Sequence, residues 1–512
     1  MNNKIELGPL LGIESNDLYT ICILVNQNVI ESPKDILLKV DANEVINLSQ
    51  IEEIIDGFHF LRFELSIKTE QADKVIQYQF EYNKSALRTS FNETIFEVKI
   101  PSANKNINVT GISCSGSHGK SPEIMDSCGH YNGWKKLIEV SPDVIVMAGD
   151  QIYADIIWKE IPELKKLLTQ KEPISDELIK RVDSFYLNLY IRSWANQYMA
   201  KALATIPSVM NWDDHDIIDG YGSLNEDYQK SYLFKEVIFP IAKKYYSIFQ
   251  IRGNNQSLIK KGYDFSLAFN FRDYQFIIPD TRTHRNRKDI IADKGYSNIK
   301  SFLKNSPKVD SQSAICFVLP VPIAHLKFNG FFETLVKYVF RFVEKWKTSG
   351  MIHSIDDDLL DHWEHKDHEK EQIKMLNMIF EHGILQNPKH LIILSGDVHF
   401  SGASKVEYLK NENEYNLTQV ISSPMVNSPM PSIIAIASTL LSKNKYSLKE
   451  IGISDFKNFG SYKKPMIRFR NFINIESKAG KKGVYRSCAC HFEPWSNIKP
   501  YYRRINDFIP EK

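Results

Sequence analysis

The stretch DVIVMAGD, residues 143–150, is an apolar run too short for a helix that stops abruptly at a glycine and a carboxylate. A buried strand that runs into a functional loop at the edge of a sheet reads this way. The same grammar recurs in INVTGIS (107–113), YQFIIPD (274–280), AICFVLP (314–320) and LIILSGDVHF (391–400). Helical patterns are predicted over 162–170, 183–206, 228–249 with an interruption at Pro240, 332–346 and 367–382. The last has Asp367 as its N-cap and Gly383 as its stop. Strands alternating with helices predict an α/β core.

Upstream the pattern is different. LYTICILVN, FLRFELSIKT, KVIQYQFEYN and TIFEVKIP, all between residues 18 and 101, alternate apolar with polar positions and are rich in β-branched and aromatic residues. They predict half-buried antiparallel strands, packaged as a small β-sandwich over 1–103 in front of an α/β domain over 104–512.

With 512 residues the chain exceeds one ordinary core, and its 43% hydrophobic and 25% charged content is that of a globular protein. The formal net charge of +2 gives no global field for a stable nucleic-acid complex or a membrane surface. No apolar stretch is long enough for a signal peptide or a membrane span, so a cytoplasmic protein, or one exported by an unconventional route, is expected. Six cysteines are too few for a disulfide scaffold, and the C-x-C of Cys488 and Cys490 is weak evidence for metal.

Four polar clusters each follow an apolar run: Ser113-Cys114-Ser115; Gly149-Asp150 through Tyr153 to Asp155; Trp212-Asp213-Asp214-His215-Asp216; and Ser395-Gly396-Asp397-Val398-His399. In an open α/β sheet the carboxyl ends of the strands share one rim, where such clusters can converge. Carboxylate, imidazole, thiolate and phenolate together form a ligand set for hard and borderline metals. Taken singly, a Gly-Asp after a strand is more often a turn, and Trp212 or Tyr153 more often packing. Four at strand ends are harder to assign to chance.

GDQIYAD (149–155), WDDHDIIDGYGS (212–223), DTRTHR (280–285) and LSGDVHF (394–400) resemble, in order, the signatures of the PhoD-like alkaline phosphatase and phosphodiesterase family, a branch of the calcineurin-like metallophosphoesterases. GPLLG at 8–12 is similar to the opening of that family's N-terminal fibronectin-like domain, and Asp361, Trp363 and Glu371 to its D-x-W segment. The resemblance implies a two-sheet α/β sandwich of metallophosphoesterase type behind a fibronectin-like β-sandwich. It also implies hydrolysis of phosphate monoesters or diesters, on a small molecule or on a lipid or polymer headgroup, by a metal-bound hydroxide at a multinuclear site.

Carried over residue by residue, Cys114 resembles the ligand of a ferric ion, Asp150 the carboxylate that ligates or bridges the metals, and Tyr153 the iron-bound phenolate. Asp214 stands where the wider superfamily has an asparagine. His215 matches the histidine beside the transferred phosphoryl group, and Asp397 and His399 the last ligands. The resemblance implies iron with calcium, while the residues themselves allow manganese or zinc. The first motif departs from the family, which often pairs cysteines there. That leaves Cys114 as the ligand, Cys128 as a remote neighbour, and His118 and Asp126 as either mouth or plain surface.

Arg282 and Arg285 offer forks for phosphate or structural salt bridges, with Arg282 the stronger candidate to compensate substrate charge. Arg272 reads as structural. Two other classes compete. CSGSHGKS (114–121) nearly spells a P-loop but lacks its first glycine. A binding protein with a remnant metal site would need few competent ligands, and here every expected position holds one.

Overall fold

The computed structural model describes residues 4–41, 44–116, 122–127, 129–224, 226–253, 264–306, 308–325, 327–328, 362–365, 367–430, 442–443, 445–455, 466–477, 485–492 and 500–510. Two large mixed sheets dominate these residues. A ten-stranded sheet runs in the order Pro500–Arg504, Tyr485–Phe492, Arg470–Ser477, Val109–Ile112, Val144–Ala148, Ser208–Asn211, Leu7–Ile13, Leu18–Asn26, Phe58–Ser66, Leu48–Glu53. An eight-stranded sheet runs Leu267–Phe271, Tyr274–Ile278, Ala314–Val318, His390–Ser395, Asn413–Ile421, Gly402–Lys410, Ile451–Asp455, Lys445–Leu448.

The strand residues alternate between two cores, which is why their runs are apolar on both faces. Ile392 and Leu394 enter the core shared with the ten-stranded sheet, whereas Leu391 and Ile393 pack outward against the core that holds Ile299, Leu376 and Ile379. Phe276 and Ile278 against Ile277, and Cys316 and Val318 against Ile315 and Phe317, divide the same way. Period-two side-chain direction imposes this division, and each fully buried Leu or Ile contributes about 1.5–3 kcal/mol relative to exposure. The sheets approach closely where side chains are smallest: a Cβ on Gly111 would collide with Leu394, and one on Gly396 with Ser113. Helices Asp293–Asn305 and Glu369–Gln386 cover the outer face of the eight-stranded sheet, and Gln197–Thr205 packs on strand Leu7–Ile13.

The first hundred residues form the expected strands, but no separate fibronectin-like unit is identified. Strand Leu7–Ile13 pairs in parallel with Ser208–Asn211 and in antiparallel with Leu18–Asn26, and so extends the ten-stranded sheet. Arg62 fastens that extension, donating to the Arg252 carbonyl at 2.6 Å and to buried Glu14 at 2.7 Å. Strands Leu37–Val40, Glu44–Ile46, Lys74–Tyr82, Ser85–Ala86 and Phe96–Ile100 form a sheet of their own. Arg272 is structural as expected, tying Asn16 to the Pro101 carbonyl.

Several helix expectations shift. The helix expected over 183–206 is two, Asp176–Ser193 and Gln197–Thr205, because Asn196 caps the second by accepting from Tyr198 and Met199 N–H. The span 228–249 becomes a π turn Leu233–Ile238, an α segment Phe239–Tyr246 and a second π turn Ser247–Ile251. Gly383 does not stop its helix; it lies inside it, where Phe508 and Leu391 press on the bare Cα. The stop is left-handed Asn387, and the N-cap is His368 rather than Asp367. The helix expected over 332–346, together with Asp361, His118, Lys120 and Cys128, lies outside the described residues. Among those described, no helix is long and apolar enough to cross a membrane.

Candidate metal centre

Strands Val109–Ile112, Val144–Ala148 and Ser208–Asn211 are parallel neighbours, so their carboxyl ends lie side by side and lead into Cys114, Asp150 and Asp213–Asp216. In the facing sheet Tyr274–Ile278, Ala314–Val318 and His390–Ser395 are likewise parallel and lead to Arg282, Pro320 and Asp397–His399. The two rims meet. Gly149 sits against Asp213 and Pro320, and the position of a Gly396 Cβ is 2.7 Å from the Ala148 carbonyl.

The backbone there is contorted. Cys114, Asp150, Asp397 and His399 have φ of 51°, 61°, 62° and 55°. Each is a left-handed conformation costly for a residue with a Cβ, on the order of 1–3 kcal/mol, and such strain concentrates at functional sites. Hydrogen bonds hold it in place. Asp216, fully buried, accepts from the N–H groups of Asp150 and Asp213 on one oxygen and from Gln151 and Ile152 on the other, at 2.9–3.3 Å. Ser423 Oγ lies 3.0 Å from the Cys114 sulfur and accepts the His399 N–H at 3.1 Å.

The strand ends bring the predicted ligands together. Ligand atoms of Cys114, Asp150 and His399 lie within 4.8 Å of one another; so do those of Asp150, Asp213, Asp214 and Asp397, and those of Asp150, Asp214 and His215. Asp150 therefore belongs to three donor groups at once. The Tyr153 hydroxyl is 3.4 Å from Asp150 Oδ2 and 3.4 Å from His399 Nε2. Asp150 Oδ1 is buried with no hydrogen-bond partner among the described residues. Burial, then the Cys114 sulfur and neighbouring carboxylates, hold the Asp150 carboxyl well above the usual range. Burial, Cys114 and Asp150 do the same to the Tyr153 phenol. Buried carboxylates, a thiol and a phenol brought this close together favour a bound cation, which would reverse both shifts, so the residues fit a metal site.

The two histidines are driven apart. Burial lowers the His399 pKa and leaves a neutral imidazole with a lone pair for a metal. Burial pulls His215 the same way, but Asp155, Asp214, Asp219 and Asp150 outweigh it and hold it well above the ordinary value, as an imidazolium. Its Nδ1 is 2.6 Å from Asp155 Oδ2, and its ring lies 4.3 Å from that of Tyr153. Titratable neighbours pushed in opposite directions commonly have different tasks.

Arg282 packs against the acidic loop of the centre. It is fully buried, with Nε and Nη2 on Asp213, Nη2 3.5 Å from Asp214 and Nη1 donating to the Tyr221 carbonyl. Arg285 is also buried and lays its aliphatic chain over Gly222, whose φ of 101° admits no side chain comfortably. Asp126 is half-buried on the short helix Pro122–Ser127. Asp155, Asp213, Asp216 and Ser423 were not given roles from sequence. The first three stand inside the quoted clusters, and Ser423 carries no sequence signal.

The sequence model of the PhoD-related phosphatases matches residues 134–349 and 343–482. The uncharacterized protein YGR266W of Saccharomyces cerevisiae is 25% identical over 519 residues, covering 86% of this chain and 69% of the yeast protein. A solved structure of PhoD superposes with a TM-score of 0.60 at 13% identity, over 99% of this chain and 93% of that one. That likeness concerns the fold; the matched sequence spans the strand ends carrying Asp150, Asp214 and His399, and the chain belongs to the family of PhoD-related phosphatases.

Proposed function

We propose that this chain is a metal-dependent hydrolase of phosphate esters. The observation that carries the reading is Asp150, a buried carboxylate shared by three donor groups with one oxygen left bare. Cys114, Tyr153, His399 and Asp150 would hold one cation; Asp150, Asp214 and Asp397, with Asp213 beside them, would hold another. Thiolate, phenolate and imidazole on the first side suit iron, and carboxylates on the second suit calcium, with manganese or zinc compatible alternatives. Bound cations supply Lewis acidity toward the phosphoryl oxygens and activate the attacking water.

The protein's own contribution is geometry and a proton. Asp216 holds Asp150 in its left-handed turn, so the carboxylate shared by the donor groups is in place before substrate arrives. His215, kept charged by Asp155, stabilises the phosphoryl oxygens and donates to the leaving oxygen. Arg282 acts through Asp213 and Asp214, balancing their charge, in place of direct contact with substrate. Rim residues Asp155, His215 and Asp219 are partly exposed, and a phosphate ester would approach from this side of the centre.

The test is hydrolysis of chromogenic phosphate monoesters and diesters by the full chain. Activity on either, abolished by chelator and by Asp150→Asn with the fold intact, supports the reading. Inactivity of metal-replete protein on both, with ligand binding retained, favours the alternative of a binding protein.

A further inference from the structure

We propose that Gln250 is a positioning residue of the metal centre, acting through Asp216 on the turn that presents Asp150, and that the π-helical turn Ser247–Ile251 exists to deliver it. The inference rests on the metal-centre reading above.

π-Helical turns are rare and recur at functional sites, because the extra residue in the turn redirects side chains at a cost in backbone geometry. Here two of them flank one α segment, Phe239–Tyr246, within a single helical run. Residues just before and within the second turn face the loop that follows strand Ser208–Asn211. Tyr246 stacks on Trp212 with ring centroids 4.3 Å apart and planes 11° from parallel. Four residues on, Gln250 Nε2 donates to Asp216 Oδ1 at 2.9 Å.

The hydrogen bonding of Gln250 is one-sided. Its amide nitrogen donates to Asp216 and to the Tyr190 hydroxyl oxygen, both at 2.9 Å. Its Oε1 is buried with no partner among the described residues. A bare buried carbonyl costs about 1–3 kcal/mol, so glutamine is a poor choice for stability alone at a 2% exposed position. What it supplies is a neutral, two-proton donor aimed at a carboxylate.

That carboxylate collects the loop. Besides Gln250, Asp216 Oδ1 has two longer bonds, from Gln151 N at 3.1 Å and Ile152 N at 3.3 Å; Oδ2 holds Asp150 N and Asp213 N at 2.9 Å each. Without the amide of Gln250, Oδ1 is left to the two weaker donors, and the carboxylate can rotate away from the turn. Asp150 sits in that turn at φ 61°, a conformation that persists only while its surroundings impose it. The effect of Gln250 thus reaches Asp150 through two hydrogen bonds, without Gln250 touching substrate or metal.

The experiment compares wild type, Gln250→Met and Tyr190→Phe as full chains. Gln250→Met keeps the length and removes both donors. Tyr190→Phe keeps the ring packing on Trp194 and Phe249 and removes one anchor of the amide. Metal retained after dialysis against graded EDTA is measured beside the melting temperature of the metal-stripped proteins, with kcat and KM on a chromogenic ester. The proposal expects Gln250→Met to lose metal at roughly 10–100-fold lower EDTA, with kcat reduced, KM nearly unchanged and the stripped protein melting close to wild type. Tyr190→Phe shows a smaller loss in the same direction and reports even if Gln250→Met does not fold. Wild-type retention in the variants, or a loss that merely tracks a lower melting temperature of the stripped chain, overturns the positioning role alone. A wild-type chain that holds no metal overturns both this role and the function on which it rests.

Discussion

His215 Nδ1 lies 2.6 Å from Asp155 Oδ2, and the other oxygen of that carboxylate accepts the Asp219 N–H at 2.6 Å. With one oxygen pinned to the backbone, the other is aimed at the imidazole, which fixes the ring and favours its charged form. Asp155→Asn should therefore lower kcat by roughly 100-fold or more with little change in KM, as expected when general-acid support is lost. Steady-state kinetics on a chromogenic ester check this. A variant with near wild-type kcat would remove Asp155 from the mechanism.

Arg282 separates two roles by stability. Its guanidinium is fully buried against Asp213, so Arg282→Met breaks a buried ion pair, at a cost of about 3–5 kcal/mol in the metal-free protein. Arg282→Lys should recover little of this, since one ammonium cannot reproduce contacts to Asp213, Asp214 and the Tyr221 carbonyl. Denaturant unfolding measures the loss. If both variants are as stable as wild type and show a raised KM, Arg282 contacts substrate directly.

Acid stability depends on His382. Buried beneath the eight-stranded sheet, with Nε2 2.7 Å from Gln275 Oε1, it has its pKa lowered from 6.5 to about 4 by burial. The unfolded chain binds this proton below about pH 6.5 and the folded chain only near pH 4. Stability from the neutral ring is thus full above pH 6.5 and is lost as pH falls toward 4, by about 3 kcal/mol. Unfolding free energies of wild type and His382→Gln between pH 7 and 4.5 should show a shallower slope for the variant. Parallel slopes would contradict the assignment.

The strand ends were legible because burial on both faces leaves an apolar run, and the run stops where polar ligands begin. LIILSGDVHF and DVIVMAGD announce His390–Ser395 and Val144–Ala148 for that reason. Strand Ser208–Asn211 was marked only by the polar cluster that follows it, since SVMN is too short and mixed to carry a period. How the N-terminal strands join the core was hidden for a long-range reason: the pairing of Gly12 with Ser208 leaves no trace near either residue. At the site, the gathering of Cys114, Asp150 and His399 at the strand ends could be read, but the buried orientation of Arg282 could not. A guanidinium in DTRTHR looks the same whether it faces phosphate or Asp213. The π turns were equally hidden, because their signal in sequence is that of any amphipathic helix broken by Pro240.

The most direct measurement is elemental analysis of gently, anaerobically purified protein beside Asp150→Asn. The account predicts stoichiometric metal in the wild type, iron with calcium being the expected pair, and loss of metal in a variant that remains folded. Wild-type protein with no more than trace metal after metal-replete expression, or an Asp150→Asn variant that retains its full complement, would contradict it.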